Sequence, residues 1–287
     1  MNRHNIARHL NKKMNDWISH IKDEQIADII KENAIVTGGA LVSLLIGEEP
    51  HDYDIYFKTH ESCLAVARYY AGRWNESPRT ERDVTVEDND GRITCFIAEK
   101  EAVAEEREEI REPDTEKKKR KKAYTPKYFT TNAISLSDKI QLVVRFYGPV
   151  NEIHKNYDFV HCTCSYDYST NTVTLPPDAL EAIINRELIY IGSKYPLCSI
   201  VRTRKFLSRG YHINAGQYLK MAYQLNELDL NDFEVLKDQL VGVDSLYFSA
   251  FIGDMQKMRE DNPDAEIDSG YFMQAVDRIF NGGLDHE

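Results

Sequence analysis

Long apolar runs are missing from this sequence of 287 residues. Because a transmembrane helix needs roughly 18 or more consecutive apolar residues, a helix of that kind is excluded. The first residues, through Trp17, are also too polar for a secretory signal peptide. No internal repeat is visible. We therefore expect a cytoplasmic protein that has no membrane partner.

Cysteine is scarce, and its spacing forms no recognisable framework. The chain has five cysteines, an odd number without the paired spacing of a zinc ribbon. Reduced thiols in a cytoplasmic protein are the simplest interpretation. The sequence therefore predicts neither a structural zinc site nor a disulfide scaffold. The cysteines are Cys63, Cys95, Cys162, Cys164 and Cys198.

Positive charge is in short supply. The chain has 36 Lys and Arg against 47 Asp and Glu, a formal net charge of −11. Because binding to a phosphate backbone depends on Lys and Arg, this balance excludes a bulk nucleic-acid binder. It leaves room for a local basic groove, since the distribution of charge matters more than its sum.

The chain does contain one dense pattern, at residues 33–57. Residues 34–37 are rich in β-branched side chains and predict a strand that ends at Gly38 and Gly39. The following leucines recur at helical spacing, and Gly47 can end that helix. A second strand then begins at residue 52. These leucines are Leu41, Leu44 and Leu45.

Asp52 and Asp54 lie at alternate positions of that second strand. Alternate side chains in a strand share a face, so the two carboxylates are predicted to lie together. Two adjacent carboxylates repel each other, and a divalent cation with oxygen ligands relieves that repulsion. The glycine turn at the start of a helix offers backbone N–H groups to phosphates. The alternative is a hairpin with two solvated aspartates.

The order of strand, Gly38–Gly39, helix and Asp52-Tyr53-Asp54 resembles the nucleotidyltransferase superfamily, which includes DNA polymerase beta, CCA-adding enzymes, poly(A) polymerases and antibiotic nucleotidyltransferases. The stretch from residue 132 to residue 162 resembles phage-encoded members. The resemblance implies an α+β fold. It covers a mixed-sheet nucleotidyltransferase domain at residues 1–175. The helical periodicity of the remaining residues, which the resemblance does not reach, predicts an all-helical domain at residues 176–287.

The same resemblance implies a reaction and its site. The enzyme would transfer NMP from an NTP such as ATP to an acceptor hydroxyl, an RNA 3′ end above all, using two Mg²⁺ ions or Mn²⁺ in their place. Asp52 and Asp54 would hold one ion on the triphosphate, and with Asp158 a second ion at the acceptor. Gly38 and Gly39 would cradle the phosphates, with a hydroxyl from Ser43.

Asp158 is the proposed third carboxylate because it stands between aromatic residues in a predicted buried strand, residues 157–162. A buried carboxylate without a partner is costly, and a shared metal would remove that cost. The alternative is a salt bridge to a nearby Arg or Lys, such as Arg145 or Lys155. Asp138 and Asp167 are the other candidates for the third carboxylate.

Several basic residues have two open interpretations. Arg202 and Lys205 form part of a basic stripe on a predicted helix and would bind the triphosphate or the acceptor, or else form a solvated face. His154 and His161 would touch substrate or make structural hydrogen bonds. The lysine-rich run at residues 117–122 is either a solvated segment or a basic arm.

The remaining elements are predicted from periodicity. Helices are expected near residues 1–31, 59–74, 178–188, 200–209, 214–225, 232–240, 244–259 and 268–280. A hairpin at residues 84–97 and strands at residues 129–135 and 140–146 would extend the catalytic sheet.

Three functions compete at this point. The first is nucleotide addition to an RNA end, although Val42 and Ser43 stand where CCA-adding enzymes carry an Arg-Asp pair. The second is nucleotidylation of a protein or a small molecule, which the acidic composition favours. The third is a non-catalytic binding protein on the same scaffold.

Overall fold

The computed structural model describes residues 1–77, 83–97 and 124–241, together with residues 253, 270, 273 and 274. The basic run at residues 117–122 and the predicted helices at residues 244–259 and 268–280 lie outside these ranges, apart from those isolated residues. The chain divides into two compact units. Unit 1 comprises Met1–Lys155 and His161–Ile183, and unit 2 comprises Asn156–Val160 and Ile184–Glu287.

Unit 1 begins with two helices in place of the single predicted one. The first helix ends at Ile18, and Asp23 starts a second one because its carboxylate accepts hydrogen bonds from the N–H groups of Gln25 and Ile26. The predicted helix start at Thr59 is confirmed, with a capping box formed by Thr59 and Ser62. The helices of unit 1 are α1 (Arg3–Ile18), α2 (Glu24–Asn33), α3 (Gly39–Ile46), α4 (His60–Asn75), α5 (Val150–His154) and most of α6 (Pro177–Asn185).

The centre of unit 1 is a mixed sheet of seven strands. Its order is β5-β6-β7-β2-β1-β8-β9, with β2 antiparallel to β1 and parallel to β7. The predicted α+β class with a mixed sheet is confirmed. The strands are β1 (Ala34–Thr37), β2 (Tyr53–Phe57), β5 (Pro126–Phe129), β6 (Ala133–Leu136), β7 (Ile140–Val143), β8 (Ser165–Asp167) and β9 (Thr172–Thr174); the hairpin strands β3 (Val84–Asn89) and β4 (Arg92–Ile97) form a separate sheet.

One face of the large sheet is apolar from edge to edge. The register aligns one residue from each strand in a single row, and each of these side chains is at most 5% exposed. Because successive residues of a strand alternate between faces, the neighbouring row belongs to the opposite face. The apolar row is Phe129, Ile134, Leu142, Ile55, Val36, Tyr166 and Val173.

The opposite face carries a polar row that crosses the same seven strands. Ser135 and Asp54 both pair with Gln141, and Ser165 pairs with Thr37 on one side and Thr174 on the other. Extending the register between β1 and β2 by one residue places Thr37 beside Asp54. Tyr128 pairs with Ser135 at the β5 edge. We call this set the polar row.

Three strand predictions are wrong in detail. The hairpin at residues 84–97 forms, but it does not join the large sheet in the described ranges. The predicted strand at residues 129–135 is two strands, because Thr130 makes a local turn with Ala133. Residues 157–162 are not a strand: Phe159 forms an isolated bridge with Tyr190, and Val160–Cys162 is a short 3-10 helix.

Unit 2 is helical in its described part. Its helices are α7 (Pro196–Ser208), α8 (Ala215–Leu225) and α9 (Phe233–Val241). Asn214 caps α8 as predicted, and α7 starts at Pro196, which is favourable at the first helical position. The core of this unit is a cluster of buried side chains: Phe159, Leu188, Tyr190, Tyr211 and Met221. In the described ranges, no helix is long and apolar enough to cross a membrane.

Candidate active site

The turn after β1 leaves open space in front of its second glycine. Gly38 has φ 90° and ψ −144° and caps α3. Side chains with a Cβ rarely adopt that backbone conformation, so the first position requires glycine. Gly39 is exposed, and a Cβ built there would meet no atom within 4 Å. A ligand can therefore approach the backbone at Gly39, while its predicted role in binding phosphate stays a prediction.

The two aspartates lie at the start of β2, which begins at Tyr53 and not at the predicted residue 52. Tyr53 between them is 5% exposed, whereas Asp52 is exposed and Asp54 is half-buried. Because successive residues of a strand alternate between faces, Asp54 lies on the face opposite Tyr53, and Asp52 directly precedes the strand. Asp54 lies beside Thr37, the residue that precedes the glycine turn. The structure thus brings the predicted Asp pair and the predicted Gly pair to the same end of two neighbouring strands.

The segment that leads into Asp52 is fixed to the turn between β6 and β7. The Lys139 ammonium donates to Glu49 Oε1 at 2.6 Å and to the Pro50 carbonyl at 3.0 Å. The Tyr53 N–H donates to the Lys139 carbonyl at 2.7 Å. Lys139 has φ 63°, so this contact depends on a left-handed turn residue. These three hydrogen bonds hold the strand entry where Asp52 lies.

Asp54 has neutral polar neighbours on the sheet. Gln141 on β7 is its register partner on one side, and Thr37 on β1 lies on the other. Gln141 is half-buried, while Ile140 and Leu142 next to it are 1% and 0% exposed. Its side chain therefore belongs to the same face as Asp54. No three His, Cys, Asp or Glu side chains in the described ranges are grouped to hold a metal ion.

His154 is linked to the polar row through Thr37. Its Nε2 lies 2.8 Å from Thr37 Oγ1, and the Thr37 hydroxyl donates to the Cys164 carbonyl at 2.8 Å. The hydroxyl has a single hydrogen and a carbonyl only accepts, so the His154 Nε2–H must be the donor in the first bond. Burial lowers the pKa of His154 to about 4. The ring is therefore neutral at pH 7, with its hydrogen on Nε2.

Asp158 makes an ion pair inside unit 2. Its Oδ2 accepts from the Arg202 guanidinium at 3.0 Å, and its side chain is 8% exposed against 38% for Arg202. The salt bridge expected as the alternative is therefore present, and its cation is Arg202. Arg202 thus supplies the positive charge beside Asp158 that was expected from a metal ion. The roles of Asp158 in metal binding and of Arg202 in phosphate binding stay predictions.

The other predicted residues occupy various environments. Ser43 is half-buried in α3 and Lys205 is exposed on α7. Asp138 is in the β6–β7 turn, where its carbonyl accepts from Lys13. Asp167 pairs with Lys58 at 2.8 Å; burial opposes its ionisation, but hydrogen bonds from Lys58 and Ser169 lower its pKa overall. Their roles in binding stay predictions.

Two residues beside Asp54 were not predicted as part of the site. Gln141 is a single polar residue between the apolar Ile140 and Leu142, and that alternation marks it as facing away from the core. Thr37 belongs to a run of β-branched residues, which predicts a strand and nothing more. The pairing of either one with Asp54 depends on strand order, which local sequence does not specify.

Comparison with known proteins gives a curated relative and several solved structures of partial similarity. A curated protein named "Gabija anti-defense 2", from Bacillus phage SPbetaL7, is 24% identical over 267 residues, which cover 92% of this chain and 53% of that protein. The chain thus spans about half the length of this relative. The phage source agrees with the phage-encoded resemblance.

Among solved structures, a Bacillus stearothermophilus CCA-adding enzyme in complex with CTP matches with 15% identity and a TM-score of 0.40, over 78% of this chain and 48% of that one. A tRNA nucleotidyltransferase complexed with a primer tRNA and an incoming ATP analog has the same identity and TM-score, over 78% and 56%.

A family profile also matches, and it covers more than half of the chain. It is described as Gabija anti-defense 2 family protein and aligns with residues 8–186. This chain therefore belongs to the Gabija anti-defense 2 family.

Proposed function

We propose that unit 1 binds a nucleoside triphosphate with a divalent cation and transfers its NMP to an acceptor hydroxyl. The observation that carries this proposal is the placement of Asp52 and Asp54 beside the open glycine turn. A helix leaves the N–H groups of its first turn without intrahelical partners, which suits an anionic ligand. The open side of Gly39 gives a phosphate access to these groups.

The carboxylates fit a hard cation. Mg²⁺ commonly binds through one or two carboxylates together with substrate phosphates, and Asp52 and Asp54 offer that set. The bound ion would supply charge neutralisation at the phosphates. The protein itself holds the carboxylates in place: Lys139 fixes the approach to Asp52, and the sheet fixes Asp54.

The acceptor has two candidates. The sequence pattern favours an RNA 3′ end. The net charge of −11 favours a protein, since an acidic surface repels a phosphate backbone.

The family name and the phage relative add a biological setting, and we propose that the reaction counters the Gabija defence.

A labelling experiment tests the proposal. The protein is incubated with each α-labelled NTP, Mg²⁺ or Mn²⁺, and either total RNA or lysate protein. Label in RNA supports the first acceptor, and label in protein supports the second. Asp52→Ala and Asp54→Ala are expected to abolish labelling, whereas Glu181→Ala, which removes an exposed carboxylate on α6, should retain it.

Absence of label from both fractions under every condition would contradict transfer to RNA and to protein. Full labelling by either aspartate variant would contradict the assignment of the site. Both variants are expected to fold, because both aspartates are at least partly exposed and their removal leaves the apolar row unchanged. Circular dichroism of each variant checks this expectation.

A further inference from the structure

The polar row sets how much negative charge the sheet offers beside the glycine turn. Asp54 is its one acidic member across the seven strands. The two strands beside it contribute an amide at Gln141 and a hydroxyl at Thr37. Thr37 is 0% exposed and its hydroxyl is already engaged with His154 and Cys164. Gln141 is therefore the neighbour that remains to face a ligand at Asp54.

The register brings Gln141 within reach of whatever Asp54 binds. Neighbouring strands are about 4.8 Å apart, so the two side chains project side by side from β7 and β2. An amide offers a carbonyl oxygen that can approach a cation, but it brings no negative charge. A carboxylate in this position would add the charge that a second ion needs.

We infer that unit 1 binds a single divalent cation with its nucleotide, and that the neutral side chain of Gln141 excludes a second ion beside Asp54. This inference rests on the proposed function. Two carboxylates and the phosphates are enough for one Mg²⁺. A pair of ions about 4 Å apart stabilises both the attacking and the leaving oxygen, so a site with one ion is expected to transfer the NMP more slowly than a site with two.

Counting bound ions tests the inference without measuring activity. Mn²⁺ is titrated into the full chain in the presence of a non-hydrolysable analogue of each NTP in turn. Free Mn²⁺ is followed by electron paramagnetic resonance, and the Mn²⁺ that the analogue binds without protein is subtracted. We expect one Mn²⁺ per bound nucleotide in the wild-type protein. Gln141→Asp is expected to bind two, and Gln141→Asn, which keeps a neutral amide, is expected to bind one.

Thr174→Asp is the matched control. It adds the same charge to the same row on β9, three strands and about 14 Å away from β2, where it should leave the count at one. Two Mn²⁺ ions in the wild-type protein would overturn the inference and leave the proposed function standing. A count of one in a folded Gln141→Asp protein would overturn the role of Gln141.

Failure of the wild-type protein to bind nucleotide would overturn the proposed function and this inference with it. The wild-type count decides the number of ions even where Gln141→Asp does not fold. Circular dichroism of Gln141→Asp, with and without Mn²⁺ and nucleotide, shows whether this variant is folded.

Discussion

The hydrogen-bonded chain of His154, Thr37 and Cys164 makes the stability of unit 1 depend on pH. Burial lowers the pKa of His154 to about 4, against 6.5 in an unfolded chain. Between these values the unfolded state takes up a proton that the folded state does not. Stability therefore rises with pH across this window. The part of the free energy of unfolding that depends on a neutral His154 is fully present above about pH 6.5 and is lost as the pH falls through 4.

The size of the effect follows from the gap between the two pKa values. At about 1.4 kcal/mol per pH unit, that gap sets a ceiling of about 3 kcal/mol on the free energy of unfolding. Solvent reaches part of the ring and reduces the penalty for charging it. We expect the wild-type protein to lose about 1 to 2 kcal/mol through His154 on acidification from pH 7.5 to below pH 4.

The assay is urea unfolding followed by tryptophan fluorescence. Both tryptophans of the chain, Trp17 and Trp74, belong to unit 1, so the signal reports on that unit. His154→Gln retains an N–H donor for Thr37 and cannot titrate. Its loss of stability between pH 7.5 and pH 5 should be smaller than that of the wild type, by about 1 kcal/mol.

His51→Gln is the matched control, because it removes an exposed histidine outside this chain of hydrogen bonds. This variant should lose as much stability between pH 7.5 and pH 5 as the wild type does. If His154→Gln loses as much stability on acidification as the wild type does, another group causes the pH dependence and the reasoning is refuted.

Further predictions concern the glycine turn, a helix cap and the ion pair. Gly38→Ala should cost about 1 to 3 kcal/mol, because φ of 90° strains any L-residue. Gly39→Ala should change stability by less than about 0.5 kcal/mol, since its Cβ meets open space, but it should weaken nucleotide binding. Thr59→Ala should cost about 1 kcal/mol by removing the capping box of α4. Arg202→Met should lower local stability in α7 by about 1 to 3 kcal/mol, because Asp158 stays buried without its partner.

Urea unfolding followed by fluorescence measures the first three changes, and amide hydrogen exchange in α7 measures the fourth. Equal stability of the two glycine variants would contradict the backbone argument. An unchanged unfolding midpoint in Thr59→Ala would show that the cap contributes nothing. For the ion pair, adding Asp158→Asn to Arg202→Met should restore part of the lost protection; a further loss would contradict the account.

Features encoded by neighbouring residues were predictable from the sequence. The turn at Gly38–Gly39, the strand that carries Asp54, and the cap at Thr59 each depend on residues within a few positions of one another. The hairpin turn at Asp90 and Gly91 belongs to the same class, and both of its residues have positive φ.

Features that depend on distant pairing were not predictable in the same way. Asp158 and Arg202 are 44 positions apart, and several cations were equally available to Asp158 in the sequence. Gln141 lies beside Asp54 only because β7 enters the sheet parallel to β2. The alternating pattern of residues 84–97 shows that a hairpin forms, but that pattern carries no information about which sheet receives it.

The central claim is that Asp52 and Asp54 hold a cation and a nucleotide at the glycine turn. Calorimetric titration of the full chain with each NTP in the presence of Mg²⁺ tests it most directly, with Asp54→Asn as the variant and Glu181→Gln as its control. The account predicts saturable binding by the wild type and the control that requires Mg²⁺ and is lost in Asp54→Asn. Binding of equal strength in Asp54→Asn, or no binding of any NTP by the wild type, would contradict it.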